Sequence, residues 1–248
     1  MQPQNCDDMA KIKTTKGKNT KTTKQQEETK LYESAEALQE ELGKSQEFVN
    51  KNKNLLTGAL TVLVLIVGGI FFYNYTIENQ NRAAQEQLFP AVFYLEKDSL
   101  AQAMQGDGNF TDGFAAIADE YGMTNAGNLA SFYAGYASLE EGNFDNAIKY
   151  LKDFSSSDYL VQARAYCLTG DAYMEKEDFS EAVSSYQKAA NHYPNEQFTP
   201  VYLLKLALAH EQAGNKDKAA ATYQTIIDDY KDSSEANDAK KFKAVLGK

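Results

Sequence analysis

The sequence predicts an all-α chain in which a single transmembrane helix precedes an α-solenoid of about three to four helix pairs. Three observations predict it. Residues 55–75 read LLTGALTVLVLIVGGIFFYNY, with no charge between Asn54 and Ile77. Beyond them a turn, an aromatic and a small residue recur at intervals of 34, 35 and 37 positions. The composition there is helix-rich, and only Pro90, Pro194 and Pro200 interrupt it, which argues against a sheet sandwich. The expected layout is a disordered cytoplasmic tail (1–30), an amphipathic juxtamembrane helix (31–54), the transmembrane helix (55–77), membrane-proximal helices with a degenerate first repeat (78–127), repeats (128–231) and a C-terminal capping helix (232–248).

The apolar stretch is long enough to span. Twenty-one residues at about 1.5 Å each give a helix of about 31 Å, against a hydrocarbon core of about 30 Å. Its only central polar residues are Thr57 and Thr61, and Tyr73, Asn74 and Tyr75 suit the headgroup region. Lys44, Lys51 and Lys53 stand before it, whereas Arg82 alone follows closely. Basic flanks stay in the cytoplasm, so the amino-terminal part is expected inside and everything after Tyr75 outside. The run begins more than fifty residues in and ends in aromatics, which reads as an uncleaved signal anchor.

Charge is divided unevenly. Up to Asn54 there are ten Lys against nine acidic residues, which leaves fifteen basic and twenty-six acidic residues beyond it, a net of −11 beside the whole chain's −10. So acidic a domain repels phosphate backbones, and nucleic acid is excluded as an expected partner. Cys6 and Cys167 lie on opposite sides of the predicted membrane and cannot pair within one chain. Cys6 lacks the preceding apolar stretch of a lipid-modified terminus, and Cys167 reads as a small core residue.

Residues 1–30 are rich in Lys, Thr, Gln and Asn and hold almost nothing apolar, so they are expected to stay disordered. Leu31, Ala35, Leu38 and Leu42 then recur on one helical face, predicting a short amphipathic helix that ends near Gly43, with a second turn or two through Phe48 and Val49 leading into the membrane. That face could pair with a second copy of the chain or a partner, or lie loosely on the surface. After the span, residues 78–105 are helix-compatible, with Pro90 expected to kink the helix or start a new one.

Four places share the repeat signature: Gly108-Asn109-Phe110 to Gly113, Gly142-Asn143-Phe144 to Ala147, Glu177-Asp178-Phe179 to Ala182, and Gly214-Asn215-Lys216 to Ala219. A helix pair with a tight turn cannot cover its own apolar face, so copies stack, and the small residue lets neighbours approach. Gly170, Tyr173, Phe179, Ala182, Tyr186, Ala189 and Pro194 fall at the offsets of the tetratricopeptide pattern. Gly135, Gly142 and Ala147 carry the unit before, and Gly214, Ala219 and Tyr223 the unit after. Extra residues around 195–199 explain the longest interval. The first unit is degenerate, with Ala101 in place of the close-packing Gly. At the far end Ala236, Ala239, Phe242 and Val245 are expected to face inward from a charged cap.

Reactive chemistry is not expected. Gly106-Asp107-Gly108 begins like a dinucleotide fingerprint, but Thr111 replaces the third Gly and no strand precedes it. Asp107, Asn109 and Asp112 resemble a calcium loop, yet Asp112 occupies the Gly position and Ala118 that of the bidentate Glu. His192 and His210 have no Cys or carboxylate at ligand spacing, and nothing pairs a Ser or Cys with a base. No cofactor, metal or catalytic set is assigned, and Ser155-Ser156-Ser157 reads as a linker.

Binding remains. The first helices of stacked pairs form an exposed face, to which the register assigns Phe132, Tyr136, Leu139, Asp171, Met174, Leu204, Leu208 and Glu211. This lining is aromatic and acidic. The paired Lys, Asn and Arg that clamp chaperone carboxyl termini are missing; a hydrophobic segment or partner helix suits it better, unless the chain's own terminal helices cover it.

The combination resembles a bacterial family, the single-pass YfgM-like tetratricopeptide proteins of the inner membrane, which are ancillary to the SecYEG translocon. Tyr94-Leu95-Glu96-Lys97-Asp98-Ser99, Gly106-Asp107-Gly108-Asn109-Phe110, Ala126-Gly127-Asn128-Leu129-Ala130 and Tyr133-Ala134-Gly135 are similar to the form the family takes in Bacteroidota-type bacteria. The resemblance runs from Leu55 to the end, and the Lys/Thr-rich tail departs from it. It implies a non-enzymatic periplasmic scaffold that helps pass exported chains to periplasmic chaperones. The alternatives are a holdase gripping unfolded exported chains and a scaffold coordinating envelope growth or division.

Overall fold

The computed structural model describes residues 38–40, 42–108 and 111–247. The expected disordered tail, Leu31 and Ala35 lie outside them. Among the described residues every regular element is helical, and two compact units divide between Ile70 and Phe71.

In the first unit residues 42–51 are helical with every side chain exposed. Gly43 lies inside this helix, not at its end as expected: Lys44 and Glu40 pair at 2.7 Å, and the helix runs on past the glycine. Helix α1 follows, Lys53–Glu96. It is long and apolar enough to cross a membrane, with a mean hydropathy of 2.5 over its most apolar eighteen residues, none of them buried within the protein. Its two central hydroxyls are satisfied locally. Thr57 Oγ1 donates to the Lys53 carbonyl at 2.6 Å and Thr61 Oγ1 to the Thr57 carbonyl at 2.8 Å, so neither enters an apolar surrounding without a partner.

Pro90 does not start a new helix; it sits inside α1, which runs on to Glu96, and Asp98 just beyond is a non-glycine residue at φ 55°. In the second unit α1 buries Ala84, Leu88 and Ala91, spaced four and three apart on one face. Nine helices follow among the described residues: α2 (Leu100–Gln105), α3 (Phe114–Tyr121), α4 (Asn125–Glu140), α5 (Phe144–Asp153), α6 (Tyr159–Glu175), α7 (Phe179–His192), α8 (Thr199–Gln212), α9 (Lys216–Asp229) and α10 (Ser234–Val245). Each packs on the next from α2 onward, giving four helix pairs and a cap. The first repeat helix of full length starts at Asn125, three residues ahead of the expected boundary at 128.

Small residues set the pair geometry. A Cβ on Gly135 would stand 2.5 Å from Leu151 Cγ, and one on Gly170 2.6 Å from Tyr186 Cε1. Ala207, fully buried, takes the same place in the next pair. Seven residues after each comes a left-handed residue, Gly142, Glu177 or Gly214, at φ 76°, 58° and 76°. The closing bonds are the same three times: Asn143, Asp178 and Asn215 donate N–H to Ser138, Tyr173 and His210 carbonyls at 2.8, 2.9 and 2.8 Å. This is the doubly bonded helix stop that favours glycine. Glu177 pays the Cβ penalty of that conformation, about 1–2 kcal/mol. Glu177→Gly is therefore expected to raise the Tm by about 2–4 °C, read by thermal circular dichroism; an unchanged or lower Tm would refute the strain.

The first pair departs from its expected register. Gly113 does not hold the position of Ala147, Ala182 and Ala219; it caps α3, and a Cβ there would meet the Met104 carbonyl oxygen at 2.2 Å. Those three alanines are the fourth residues of their helices, a place taken in α3 by the fully buried Ile117. Gly106 and Gly108 both turn left-handed, and Asp107 Oδ1 accepts from the Thr111 N–H at 3.0 Å. The helix that follows starts only at Phe114. Ala101 is exposed, and Ala103 is the buried small residue of α2. In the cap Ala236 and Ala239 are fully buried, but Val245, expected inward, is 86% exposed; Leu246 packs on the core instead.

Each boundary between pairs carries one Asp–Lys tie. Asp119 meets Lys149 at 3.0 Å, Asp145 meets Lys176, and Asp171 meets Lys205 at 2.6 Å. The serine linker is fixed as well: Asn128 Nδ2 donates to the Ser155 carbonyl at 2.7 Å and the Ser155 N–H returns to Asn128 Oδ1 at 3.0 Å.

Candidate functional site

All eight residues assigned to the first-helix face are half-buried. Their helices place them by period: α4 supplies Phe132, Tyr136 and Leu139, α6 supplies Asp171 and Met174, and α8 supplies Leu204, Leu208 and Glu211. Four of them, Leu139, Asp171, Met174 and Leu208, come together in an open cleft of about 550 Å³. The others do not join it. Phe132 lines a separate cleft of about 320 Å³ with Leu129, Leu160 and Phe198. Tyr136 packs against the cluster of Leu151, Phe154 and Leu168, and Leu204 against the one containing Tyr202 and Tyr223.

The two acids have inside partners. Asp171 Oδ1 accepts from Tyr186 Oη and from Lys205 Nζ, both at 2.6 Å. Glu211 accepts a hydrogen bond from Tyr223. Burial, and then the Asp171 carboxylate, hold the Tyr186 hydroxyl far above tyrosine's usual range. Burial, and then Glu211, do the same for Tyr223. Both hydroxyls are thus fixed as donors, and each is matched to its carboxylate across a helix pair. The acidic face read from sequence is largely an internal network. Nearby, burial pushes the Cys167 thiol up to about 12, with Asp171 adding to the effect, so little thiolate forms near neutrality.

What sequence reasoning missed is the rest of the cleft wall: Phe144, Tyr186 and Lys205, with Glu140 and Glu175 at the mouth. The two glutamates were legible, because each stands two residues before a left-handed turn residue. Phe144 and Tyr186 come from second helices, which a one-helix face omits. No group of three or more His, Cys, Asp and Glu is arranged to hold a metal among the described residues. His192 lies edge-on to Tyr166, with ring centroids 5.5 Å apart, and His210 is buried.

A family model described as tetratricopeptide repeat matches residues 133–197 and again 167–236. The two matches start 34 residues apart, one helix pair of this stack. No curated protein matches the chain. The chain contains tetratricopeptide repeats, whose stacked pairs make a protein–protein interaction scaffold.

Proposed function

We propose that the chain is a non-enzymatic, single-pass scaffold of the bacterial inner membrane, with its amino terminus in the cytoplasm and its repeats in the periplasm. It works beside the Sec translocon and the periplasmic chaperone network, as the YfgM-like resemblance implies. One observation carries the reading: Leu139, Asp171, Met174 and Leu208, from three successive first helices, converge on one open cleft, the place where stacked repeats take partners. Orientation is supported by Lys44, Lys51 and Lys53 ahead of the apolar stretch against Arg82 behind it. Tethering raises the effective concentration of the cleft toward partners in the same bilayer.

A photo-crosslinking residue at Met174 or Leu208 in cells tests this. One or two defined membrane partners are expected. A broad smear of exported clients would favour the holdase, for which the Phe132 cleft speaks, with Leu129 and Leu160 at its edge 37% and 44% exposed. Protease added to intact spheroplasts is expected to digest the repeats; protection until lysis would overturn the compartment.

A further inference from the structure

We propose that the cleft at Met174 receives a protein segment that sets a lysine or arginine beside apolar side chains. This rests on the scaffold reading above. The floor is apolar, formed by Leu139, Phe144, Met174 and Leu208. Of the four charged residues in the lining, Asp171 and Lys205 neutralise each other at 2.6 Å. Glu140 and Glu175 remain at the mouth, both exposed and neither in an ion pair among the described residues.

Their position is the informative part. Glu140 is the last residue of α4 and Glu175 the last of α6, and neither helix has a basic residue in its last turn. A helix carries a partial negative charge at its carboxyl end, which favours cations there. Helices α5 and α10 follow that rule with Lys152 and Lys243. The chain sets carboxylates against it in the two adjacent pairs that flank this cleft. The fourth pair has Gln212 at the same repeat position. Two carboxylates and the negative dipole ends of two helices thus meet at one apolar opening, a field that a cationic side chain completes. The volume, about 550 Å³, lies within the ~300–1,000 Å³ usual for binding clefts.

The test uses the full chain in phosphatidylcholine nanodiscs and fluorescence anisotropy with three labelled decapeptides, alternating Leu with Lys, Gln or Glu. The Lys peptide is expected to bind at least about tenfold more tightly than the Gln peptide, with an affinity that falls as salt rises. Glu140→Gln with Glu175→Gln should erase that preference and leave the Gln peptide's affinity unchanged. Both changes sit at exposed helix ends, so folding is preserved, and Asp228→Asn with Asp229→Asn in α9 controls for net charge. The proposal is overturned if the Lys preference survives the double Gln variant, if the α9 control lowers it equally, or if spermine competes as well as the peptide. A defined crosslinked partner with no charge preference sinks this inference and leaves the scaffold standing; no crosslink and no peptide binding sink both.

Discussion

Gly127→Ala is expected to lower the Tm by about 6–12 °C, a loss of about 3 kcal/mol, at the upper end for overpacking. The added Cβ would stand 1.9 Å from the Tyr121 carbonyl oxygen and 2.2 Å from its carbon. Backbone cannot rotate away as a side chain can, so α3 and α4 must separate. The same junction holds three further bonds. The Gly127 N–H donates to Thr124 Oγ1 at 3.0 Å, Thr124 Oγ1 donates to the Tyr121 carbonyl at 2.8 Å, and the Ala126 N–H donates to Asn81 Oδ1 of α1 at 2.9 Å. Separation therefore opens the cluster in which Phe114 and Ile117 are fully buried. Thermal circular dichroism of the full chain in detergent measures it. Gly58→Ala, at a position with open space around it, should change nothing, and an unaltered melt for Gly127→Ala would refute the close contact.

Tyr223→Ala is expected to cost about 3–5 kcal/mol, as truncation of a fully buried aromatic does. Tyr223 is wholly buried, donates to Glu211 and lies 5.9 Å ring to ring from Phe242 of the cap. In a stack whose units touch only their neighbours, damage stays near its source. Hydrogen exchange should then show protection lost through α8, α9 and α10, with α4 to α7 still protected. A uniform loss along the stack would refute this. Tyr223→Phe keeps the ring and removes the hydroxyl, leaving Glu211 without that donor, and should cost about 1–2 kcal/mol.

Much of the fold was legible because its determinants are local. An uninterrupted apolar stretch, a left-handed stop after each first helix and an alanine at the fourth residue of three second helices are all short-range features. The first pair was misread because Gly108-Asn109-Phe110 spells the same letters as Gly142-Asn143-Phe144. In the first pair the second helix starts only at Phe114, after the Thr111 N–H has bonded Asp107 Oδ1. On the candidate face, helical period was enough to find Leu139, Asp171, Met174 and Leu208. The neutralisation of Asp171 was not legible. Its partners stand 15 and 34 positions away, on helices whose placement only the packed stack determines.

The three Asp–Lys ties differ in how far water reaches them. The side chains of Lys149 and Asp119 are 51% and 59% exposed and those of Lys176 and Asp145 38% and 83%, whereas those of Lys205 and Asp171 are 37% and 23%. Dissolved ions screen wet pairs first. Rising ionic strength should thus slacken the seams on either side of the second pair while the seam between the third and fourth holds. Stiffness along the array is graded, and the brine sets the gradient.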